Sequence, residues 1–238
     1  MKIGVMQPYF FPYIPYFQLM ESVDKYVIFD DVNFIKRGYI QRNSVLSSGN
    51  STSIHLLLSK ASQNKKINEI ELLDDPKEKK KTIMTIENSY KNAPYFSEVM
   101  PLINEIMNCD ERNLSLFLLN SLKKLRSFLE IDVEILLSSD IKKNNELKGQ
   151  DKIIEICKCL EGDEYHNAIG GVELYDDKKF DENNIKLKFI KSNASSYKQF
   201  KNEFVPNLSI IDTLMFNSKE ALKVIMNEYE LVDKKDLL

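Results

Sequence analysis

Residues 1–43 read MKIGVMQPYFFPYIPYFQLMESVDKYVIFDDVNFIKRGYIQRN, and this stretch decides the fold class of the chain. Its first apolar run, Ile3 to Met6, has the length of one buried strand. A helix is expected to begin near Pro15, because proline is favoured in the first turn of a helix. A second apolar run, Tyr26 to Phe29, predicts the next strand. Strand, loop, helix and strand in this order predict the opening of a parallel α/β sheet.

The loop after the first strand is dense in proline and aromatic residues. It contains Pro8, Tyr9, Phe10, Phe11, Pro12, Tyr13, Pro15, Tyr16 and Phe17. Each proline fixes its own φ and restricts the residue before it. We therefore expect a stiff loop without regular hydrogen-bonded structure.

Polar side chains follow both predicted strands. Gln7 follows the first strand, and Asp30 and Asp31 follow the second. Ligands of open parallel sheets bind beyond the carboxyl ends of the strands, so these residues are expected to face one crevice. Asp30 or Asp31 is a candidate general base, because a neighbouring acid raises the pKa of a carboxyl group. Arg42 has a planar guanidinium that suits a phosphate or a carboxylate; alternatively, it pairs with one of the two acids and pins the loop.

The rest of the chain continues the alternation of strands and helices. Residues 76–129 have helical periodicity. Further strands are expected at Ser53–Leu57, Ile70–Leu73, Val133–Leu137 and Lys186–Ile190, and further helices at Asp151–Leu160, Ile210–Phe216 and Lys219–Tyr229. We predict one α/β domain over residues 1–238, a mostly parallel sheet flanked by helices, with 76–129 as a helical elaboration.

Composition excludes several classes of protein. The net charge is −3, which gives no electrostatic reason to expect binding to nucleic acid or to an anionic membrane. No apolar run reaches the ~18–20 residues of a membrane span, and the first residues lack the pattern of a cleavable signal. The three cysteines, Cys109, Cys157 and Cys159, are expected to be reduced. We therefore expect a cytoplasmic protein.

Motifs of common enzyme classes are missing from the sequence. It contains no P-loop, no dinucleotide-binding glycine fingerprint, no nucleophile elbow and no metal-ligand spacing. We predict no metal and no cofactor. His55 stands alone in an apolar run and is expected to be an edge or packing residue. Lysines 77 and 79–81 crowd the start of a predicted helix, where they oppose the helix dipole and hint at a docked anion or form a solvated face.

Several segments carry a resemblance to a known family. They are QPYFFPYIPYF at 7–17, KYVIFDDVNF at 25–34, NAPYF at 92–96, IGGVELYD at 169–176 and FVPNLSIIDTLMFN at 204–217. Together they resemble the WbqC-like family of bacterial polysaccharide (O-antigen) gene clusters over nearly the whole chain. The family often has Trp-Gly where Tyr13-Ile14-Pro15 stand, and this chain contains no tryptophan.

The resemblance implies a role in surface-polysaccharide biosynthesis. It points to a transferase that moves an acyl or aminoacyl group onto a nucleotide-linked amino sugar, with an acyl-carrier protein or other thioester as donor. Asp30 and Asp31 are the candidate catalytic residues. The candidate substrate-binding residues are Gln7, Tyr9, Tyr13, Arg42, Asn43, Asn120, Gly170, Gly171, Tyr175, Gln199 and Asp212.

Two alternatives remain open from the residues. A non-catalytic module that binds a sugar or a partner uses the same aromatic and amide side chains. The strand–loop–helix–strand layout is also similar to nucleotidylyltransferases, but the first loop has Tyr13 and Tyr16 in place of their histidine motif.

The carboxy-terminal segment is expected to cover the first loop. Residues 197–217 are rich in apolar side chains, and burial stabilises by ~25 cal/mol per Å² of apolar surface. The aromatic loop is the largest apolar patch that the sheet would otherwise expose, and such patches are normally covered. We predict that the two segments pack together, with Asp212 and Gln199 near Gln7 and Asp30. Alternatively, Asp212 acts only on the dipole of its helix.

Overall fold

The computed structural model describes residues 1–201 and 203–237. Its strands are β1 (Lys2–Met6), β2 (Lys25–Ile28), β3 (Arg42–Ser47), β4 (Asn50–His55), β5 (Leu58–Ser59), β6 (Glu71–Leu72), β7 (Glu134–Leu137), β8 (Glu164–Ala168), β9 (Lys186–Ser192) and β10 (Tyr229–Val232). Its α-helices are α1 (Ile14–Glu21), α2 (Pro76–Tyr90), α3 (Phe96–Met107), α4 (Leu114–Phe128), α5 (Gly149–Cys159), α6 (Asp177–Asp181), α7 (Ile210–Phe216) and α8 (Lys219–Asn227).

The central sheet has six strands in the order β10-β9-β8-β1-β2-β7. Every neighbouring pair is parallel except β9 and β10, which are antiparallel. The predicted fold class is therefore confirmed, and β1 and β2 occupy the central positions expected of them.

Successive side chains of each strand point to opposite faces of the sheet, and both faces are covered by apolar clusters. Ile3, Val5 and Val27 pack in the apolar cluster that includes α5 and α6. Tyr26 and Ile28 point the other way, into the larger cluster formed with α1 and the other helices. The sheet, with β1 and β2 in it, is therefore the middle layer of a three-layer structure, and α1 belongs to one of the flanking layers.

The helical elaboration predicted for 76–129 is present as α2, α3 and α4. Asp75 caps α2 by accepting hydrogen bonds from the Lys77 and Glu78 backbone amides. Two small antiparallel sheets, β3–β4 and β5–β6, precede these helices. In the described part of the chain, every helix is too short to cross a lipid bilayer.

Three strands were not predicted from the sequence. β8 pairs directly with β1, and β3 forms a hairpin with β4. β10 begins at Tyr229, which was expected to be the last residue of a helix. These corrections matter because β8 defines the site described next.

Candidate functional site

The sheet has a topological switch point between β1 and β8. The chain leaves β1 towards β2 on one side, and it leaves β8 towards β9 on the opposite side. Loops that diverge from neighbouring parallel strands open a crevice at the carboxyl edge, where doubly wound sheets bind ligands. Gln7 follows β1, and Gly170 and Gly171 follow β8. We name this place the switch-point crevice.

The buried half of the first loop is held by an amide side chain. Asn43 donates hydrogen bonds to the backbone oxygens of Phe10 (3.1 Å) and Phe11 (2.7 Å). Phe11 has a φ of 43°, in the left-handed region that a bulky residue rarely adopts. Both phenylalanines are fully buried. Asn43, predicted to bind substrate, therefore contacts the loop backbone and fixes its shape.

The exposed half of the same region presents phenol rings and cations. Tyr39 packs against Tyr9 with ring centroids 5.6 Å apart, and against Tyr13 at 6.3 Å. Burial, followed by the neighbouring phenols, raises the pKa of Tyr9 and Tyr13, so both rings keep their hydroxyl protons at neutral pH. Lys36 and Arg37 are exposed on the segment that leads to Tyr39.

The Asp30 carboxylate accepts hydrogen bonds from several protein groups. Its carboxylate accepts hydrogen bonds from the Ser139 amide (2.9 Å) and hydroxyl (2.7 Å). The Ser115 hydroxyl (3.2 Å) and the Asn68 amide (3.3 Å) complete the set. Because Asp30 is buried, a ligand reaches its oxygens only by displacing one of these donors. These contacts join β2, α4 and the loop after β7.

Asp31 is the centre of a buried ionic cluster. Its carboxylate lies 2.9 Å from Lys143 Nζ and 2.8 Å from Lys152 Nζ. The Lys143 side chain is 0% exposed and that of Lys152 is 4% exposed. Lys152 also donates to the Asp31 backbone oxygen and lies over the Phe29 ring. We call these three charged residues the Asp31 cluster.

Two ammonium groups and a hydroxyl group determine how Asp31 titrates. Burial by itself raises the pKa of a carboxyl group, but Lys152, Ser138 and Lys143 together outweigh it and hold the pKa of Asp31 below its usual 3.8. The expected upward tuning by a neighbouring acid is therefore wrong for Asp31, because two cations lie closer to the charge. A general-base role for either acid stays a prediction.

Arg42 is exposed at the first position of β3, beside His55 of β4. Within residues 1–201 and 203–237, the ion pairs of Asp31 are to lysines, and Asp30 receives only neutral donors. The alternative in which Arg42 pins the loop through one of these acids is therefore wrong. Its guanidinium remains accessible to a ligand.

Asp212 lies in a second polar cluster, which we call the Asp212 cluster. The carboxylate accepts hydrogen bonds from Tyr90 (2.9 Å), Tyr197 (2.7 Å) and the Gln199 amide (2.6 Å). Burial raises the pKa of Asp212, and the three hydrogen bonds only partly offset that effect. The Gln199 carbonyl is also used, since it accepts from the Val205 amide at 2.6 Å.

The carboxy-terminal segment does pack on the first loop, as predicted. The Ile210 amide donates to the Pro12 oxygen at 2.7 Å, and the Ser209 amide donates to the Ser44 oxygen at 2.8 Å. Apolar side chains of both segments share one buried cluster. The hydrogen bonds of Asp212 run to α2 and to its own segment, and in the described residues none joins it to Gln7 or Asp30.

The remaining predicted residues lie in different settings. Tyr175 shares hydrogen bonds with Tyr165 (3.1 Å) and Asn167 (2.7 Å) beside β8. A side chain on Gly171 would meet the Asn167 oxygen at 3.1 Å, whereas Gly170 is exposed with open space around it. Asn120 lies on α4, and its buried Nδ2 has no hydrogen-bond partner within the described residues.

Two groups of polar contacts in the structure were not predicted from the sequence. Lys143 and Lys152 are ordinary surface residue types, and the one available signal was that Lys152 adjoins the apolar stripe of α5. The second group links Ser22 Oγ to His166 Nδ1 (2.9 Å) and His166 Nε2 to Glu164 (2.6 Å). His166 is fully buried, and Ser22 Oγ also lies 2.9 Å from the Leu19 oxygen. We interpret this group as a link between α1 and β8.

Comparisons with known proteins agree with the family resemblance of the sequence segments. The model of the WbqC-like protein family matches residues 7–224. A protein of Mycobacterium tuberculosis (strain ATCC 25618 / H37Rv), named "Uncharacterized protein Rv1507c", is 27% identical over 220 residues, which cover 91% of this chain and 93% of that protein. No solved structure matches the chain significantly. Since the family model spans most of the sequence, the chain belongs to the WbqC-like protein family.

Proposed function

We propose that the protein is a transferase that binds a nucleotide-linked amino sugar in the switch-point crevice. It would transfer an acyl or aminoacyl group from a thioester donor to the sugar amine, and the donor thiol would leave. The observation that carries the proposal is the switch point itself. In a doubly wound sheet this is the place where nucleotides bind, and here the aromatic loop follows β1 at that edge.

The surface next to the crevice has the chemistry that a nucleotide sugar needs. The rings of Tyr9, Tyr13 and Tyr39 offer flat apolar faces to a base or a sugar ring, with hydroxyl groups at their edges. Lys36, Arg37 and Arg42 are exposed and supply positive charge for a diphosphate. Stacking and charge on one surface are typical of sites that hold both a base and its phosphates.

The transfer half of the proposal rests on the family resemblance and on the acids at the same edge. Asp30 and Asp31 follow β2, which pairs with β1, so they lie at the same carboxyl edge of the sheet as Gln7. The predicted proton acceptor for the sugar amine is one of these two acids. Asp30→Asn tests that role: turnover should fall while nucleotide-sugar binding remains, whereas an unchanged rate excludes Asp30 as the base.

The first experiment is a binding screen followed by a turnover assay. Melting temperature is measured with uridine, deoxythymidine, guanosine and cytidine diphosphate amino sugars, each compared with the free nucleotide and the free amino sugar. The sugar that stabilises the protein is then incubated with acyl-coenzyme A or an acyl-carrier thioester, and the product is sought by mass spectrometry. Stabilisation without a product would favour a non-catalytic binding module.

Arg42→Lys provides the matched test of the phosphate site. The charge is kept, but the two-pronged contact of the guanidinium is lost, so ligand binding should weaken by about 1–3 kcal/mol. Stability should stay within about 0.5 kcal/mol, because Arg42 is exposed. Lys91→Arg, at the exposed end of α2, is the control and should leave affinity unchanged. Equal effects of the two variants would contradict the proposed site.

A second candidate function is supported by the strand order. Counted along the chain, the parallel strands β7, β2, β1, β8 and β9 lie in the order 3-2-1-4-5, which belongs to the doubly wound order of nucleotide-binding sheets. This order is compatible with nucleotidylyl transfer, the alternative that the strand–loop–helix–strand opening suggested. Release of pyrophosphate from a nucleoside triphosphate in the presence of a sugar phosphate would identify this activity. Its absence, together with acyl transfer, would leave the first proposal in place.

A further inference from the structure

A separate cavity of about 120 Å³ lies in the helical part of the molecule. It is bounded by the end of β4, by β6, by the first turns of α2 and by the loop between α3 and α4. The described residues that line it do not include Gln7, Gly170 or Gly171 of the switch-point crevice. His55, which lines the cavity, pairs with Arg42 in the β3–β4 hairpin.

The floor of the cavity is apolar. Leu56, Met107 and Phe117 line it, and all three side chains are buried. A single water needs about 10–15 Å³ by the same measure, so the cavity has room for roughly ten non-hydrogen atoms. This size and floor suit a small molecule with a short aliphatic body.

The rim of the cavity carries free charges of both signs. Lys79 and Arg112 are basic, and Asp74 and Asp110 are acidic. Within residues 1–201 and 203–237, the side chains of these four residues make no ion pair and no hydrogen bond.

Other acids of the rim are already in use. The Asp75 carboxylate caps α2 at 3.0 Å from the Lys77 amide, and Glu111 accepts from the Asn113 amide at 2.7 Å. Glu78, a fifth acid of the lining, pairs with Lys81 at 3.4 Å. Lys79, Arg112, Asp74 and Asp110 are therefore the charged lining residues whose side chains have no partner within the described residues, above an apolar floor.

We propose that this cavity binds a free α-amino acid with an apolar side chain. Such a molecule has one carboxylate, one ammonium group and a short aliphatic body. Arg112 and Lys79 would receive the carboxylate, which a guanidinium binds in two-pronged fashion. Asp74 and Asp110 would receive the ammonium group, and the side chain would contact the floor. The proposal does not depend on the proposed function.

Titration calorimetry with L-leucine and three analogues tests each part of the ligand. Leucinamide lacks the carboxylate, and 4-methylpentanoate lacks the ammonium group. Each should bind about tenfold more weakly than L-leucine, because one charged contact is lost. Glycine lacks the aliphatic body and should bind about a hundredfold more weakly. No binding of L-leucine, or equal binding of either analogue, overturns the proposal.

Arg112→Gln locates the site. Its backbone oxygen, not its side chain, accepts the Leu72 amide at 2.7 Å, so the substitution preserves this fold contact. Affinity for L-leucine should fall about tenfold, whereas the exposed control Lys91→Gln should not change it. Stabilisation by a nucleotide sugar should survive Arg112→Gln, which separates this site from the switch-point crevice. Unchanged affinity for L-leucine in Arg112→Gln overturns the assignment.

Cys109 offers a second readout, because it lines the cavity and is half-buried. In a Cys159→Ser background, iodoacetamide should modify Cys109 alone, since burial raises the pKa of Cys157 to about 12. Bound L-leucine should slow this reaction severalfold, and glycine at the same concentration should not. Equal rates with and without L-leucine contradict binding in this cavity.

Discussion

Asp31 and Asp212 are both buried carboxylates, but the groups around them differ in kind. Asp31 contacts two ammonium groups, Lys143 and Lys152. Asp212 contacts the neutral donors Tyr90, Tyr197 and Gln199. The pKa of Asp31 is lowered and that of Asp212 is raised. Nearby ammonium groups, with Ser138, outweigh the burial of Asp31, whereas three neutral donors do not outweigh the burial of Asp212.

The Asp31 cluster and the Asp212 cluster also join different parts of the chain. The Asp31 cluster lies at the carboxyl edge of the sheet, where it ties β2 to the loop after β7 and to α5. The Asp212 cluster ties α7 and the segment before it to α2. One cluster fixes segments at the carboxyl edge of the sheet, and the other attaches the carboxy-terminal segment that packs on the first loop.

Asp31→Asn should have the largest effect on stability. It leaves two buried ammonium groups without their counter-ion, and breaking a buried pair in this way costs about 3–5 kcal/mol. The free energy of unfolding in urea measures it. The triple variant Asp31→Leu, Lys143→Met and Lys152→Met removes all three charges and should recover most of the loss. A loss below about 1 kcal/mol in Asp31→Asn would show that the ammonium groups are solvated.

Asp212→Asn should have a smaller effect, about 1–3 kcal/mol. The NH₂ group introduced at position 212 would point at the hydrogen-bond donors that now contact the carboxylate. Gln199 cannot turn its side-chain oxygen towards this group, because that oxygen accepts from the Val205 amide. Urea unfolding again measures the loss, with the exposed Asp236→Asn as control. Equal stability of Asp212→Asn and the wild type would mean that the three donors find other partners.

Two tyrosine variants test which hydroxyl group of the Asp212 cluster contributes more to stability. Tyr197→Phe removes one of the three donors to Asp212, together with the 3.1 Å contact to the Thr213 hydroxyl, and should cost about 0.5–1.5 kcal/mol. Tyr90→Phe should cost more than Tyr197→Phe, because the Tyr90 hydroxyl also accepts from the Leu46 amide at 2.8 Å and that buried amide would lose its partner. Thermal and urea unfolding of the pair should give this order. The reverse order would place the main link at Tyr197.

The pH dependence of stability should have opposite signs at the two sites. The folded pKa of Asp31 lies below the unfolded value of 3.8, so its stabilisation is complete above that value and is lost as the pH falls through the folded pKa. The folded pKa of Asp212 lies above 3.8, so its contribution is present below that value and is lost as the pH rises through the folded pKa.

Subtracting the stability of each variant from that of the wild type at each pH cancels the titration of the other carboxylates. The difference reports the contribution of Asp31 or Asp212 alone. On acidification, the stability of the wild type minus that of Asp31→Asn should shrink. The stability of the wild type minus that of Asp212→Asn should grow over the range in which the folded Asp212 takes up its proton. The same sign in both series would show that one of the two environments differs from the one described.

Local patterns were sufficient for much of the fold. The helix Ile210–Phe216 was predicted at its observed bounds, and Ser209 caps it through the Ile211 amide at 3.2 Å. Ser218 caps α8 in the same way. Caps, apolar periodicity and strand length depend on neighbours within a few residues, which a sequence displays directly.

β8 shows where local patterns fail. His166 and Asn167 interrupt its apolar residues, so the segment resembles a loop in the sequence. In the structure both side chains are buried and have partners: His166 contacts Ser22, and Asn167 donates to Tyr165. Tertiary contacts make a buried strand from residues that would be costly to bury alone.

The sequence by itself determined the β-α-β opening, the helical elaboration, the position of acids at the end of β2 and the membership of a family. Only the tertiary structure decided what those acids contact. Lys143 and Lys152 come more than a hundred residues after Asp31, and Tyr90 is equally remote from Asp212. Charge and hydrogen-bond partners depend on distances in space, and distances between remote segments follow from packing the whole chain rather than from any local pattern.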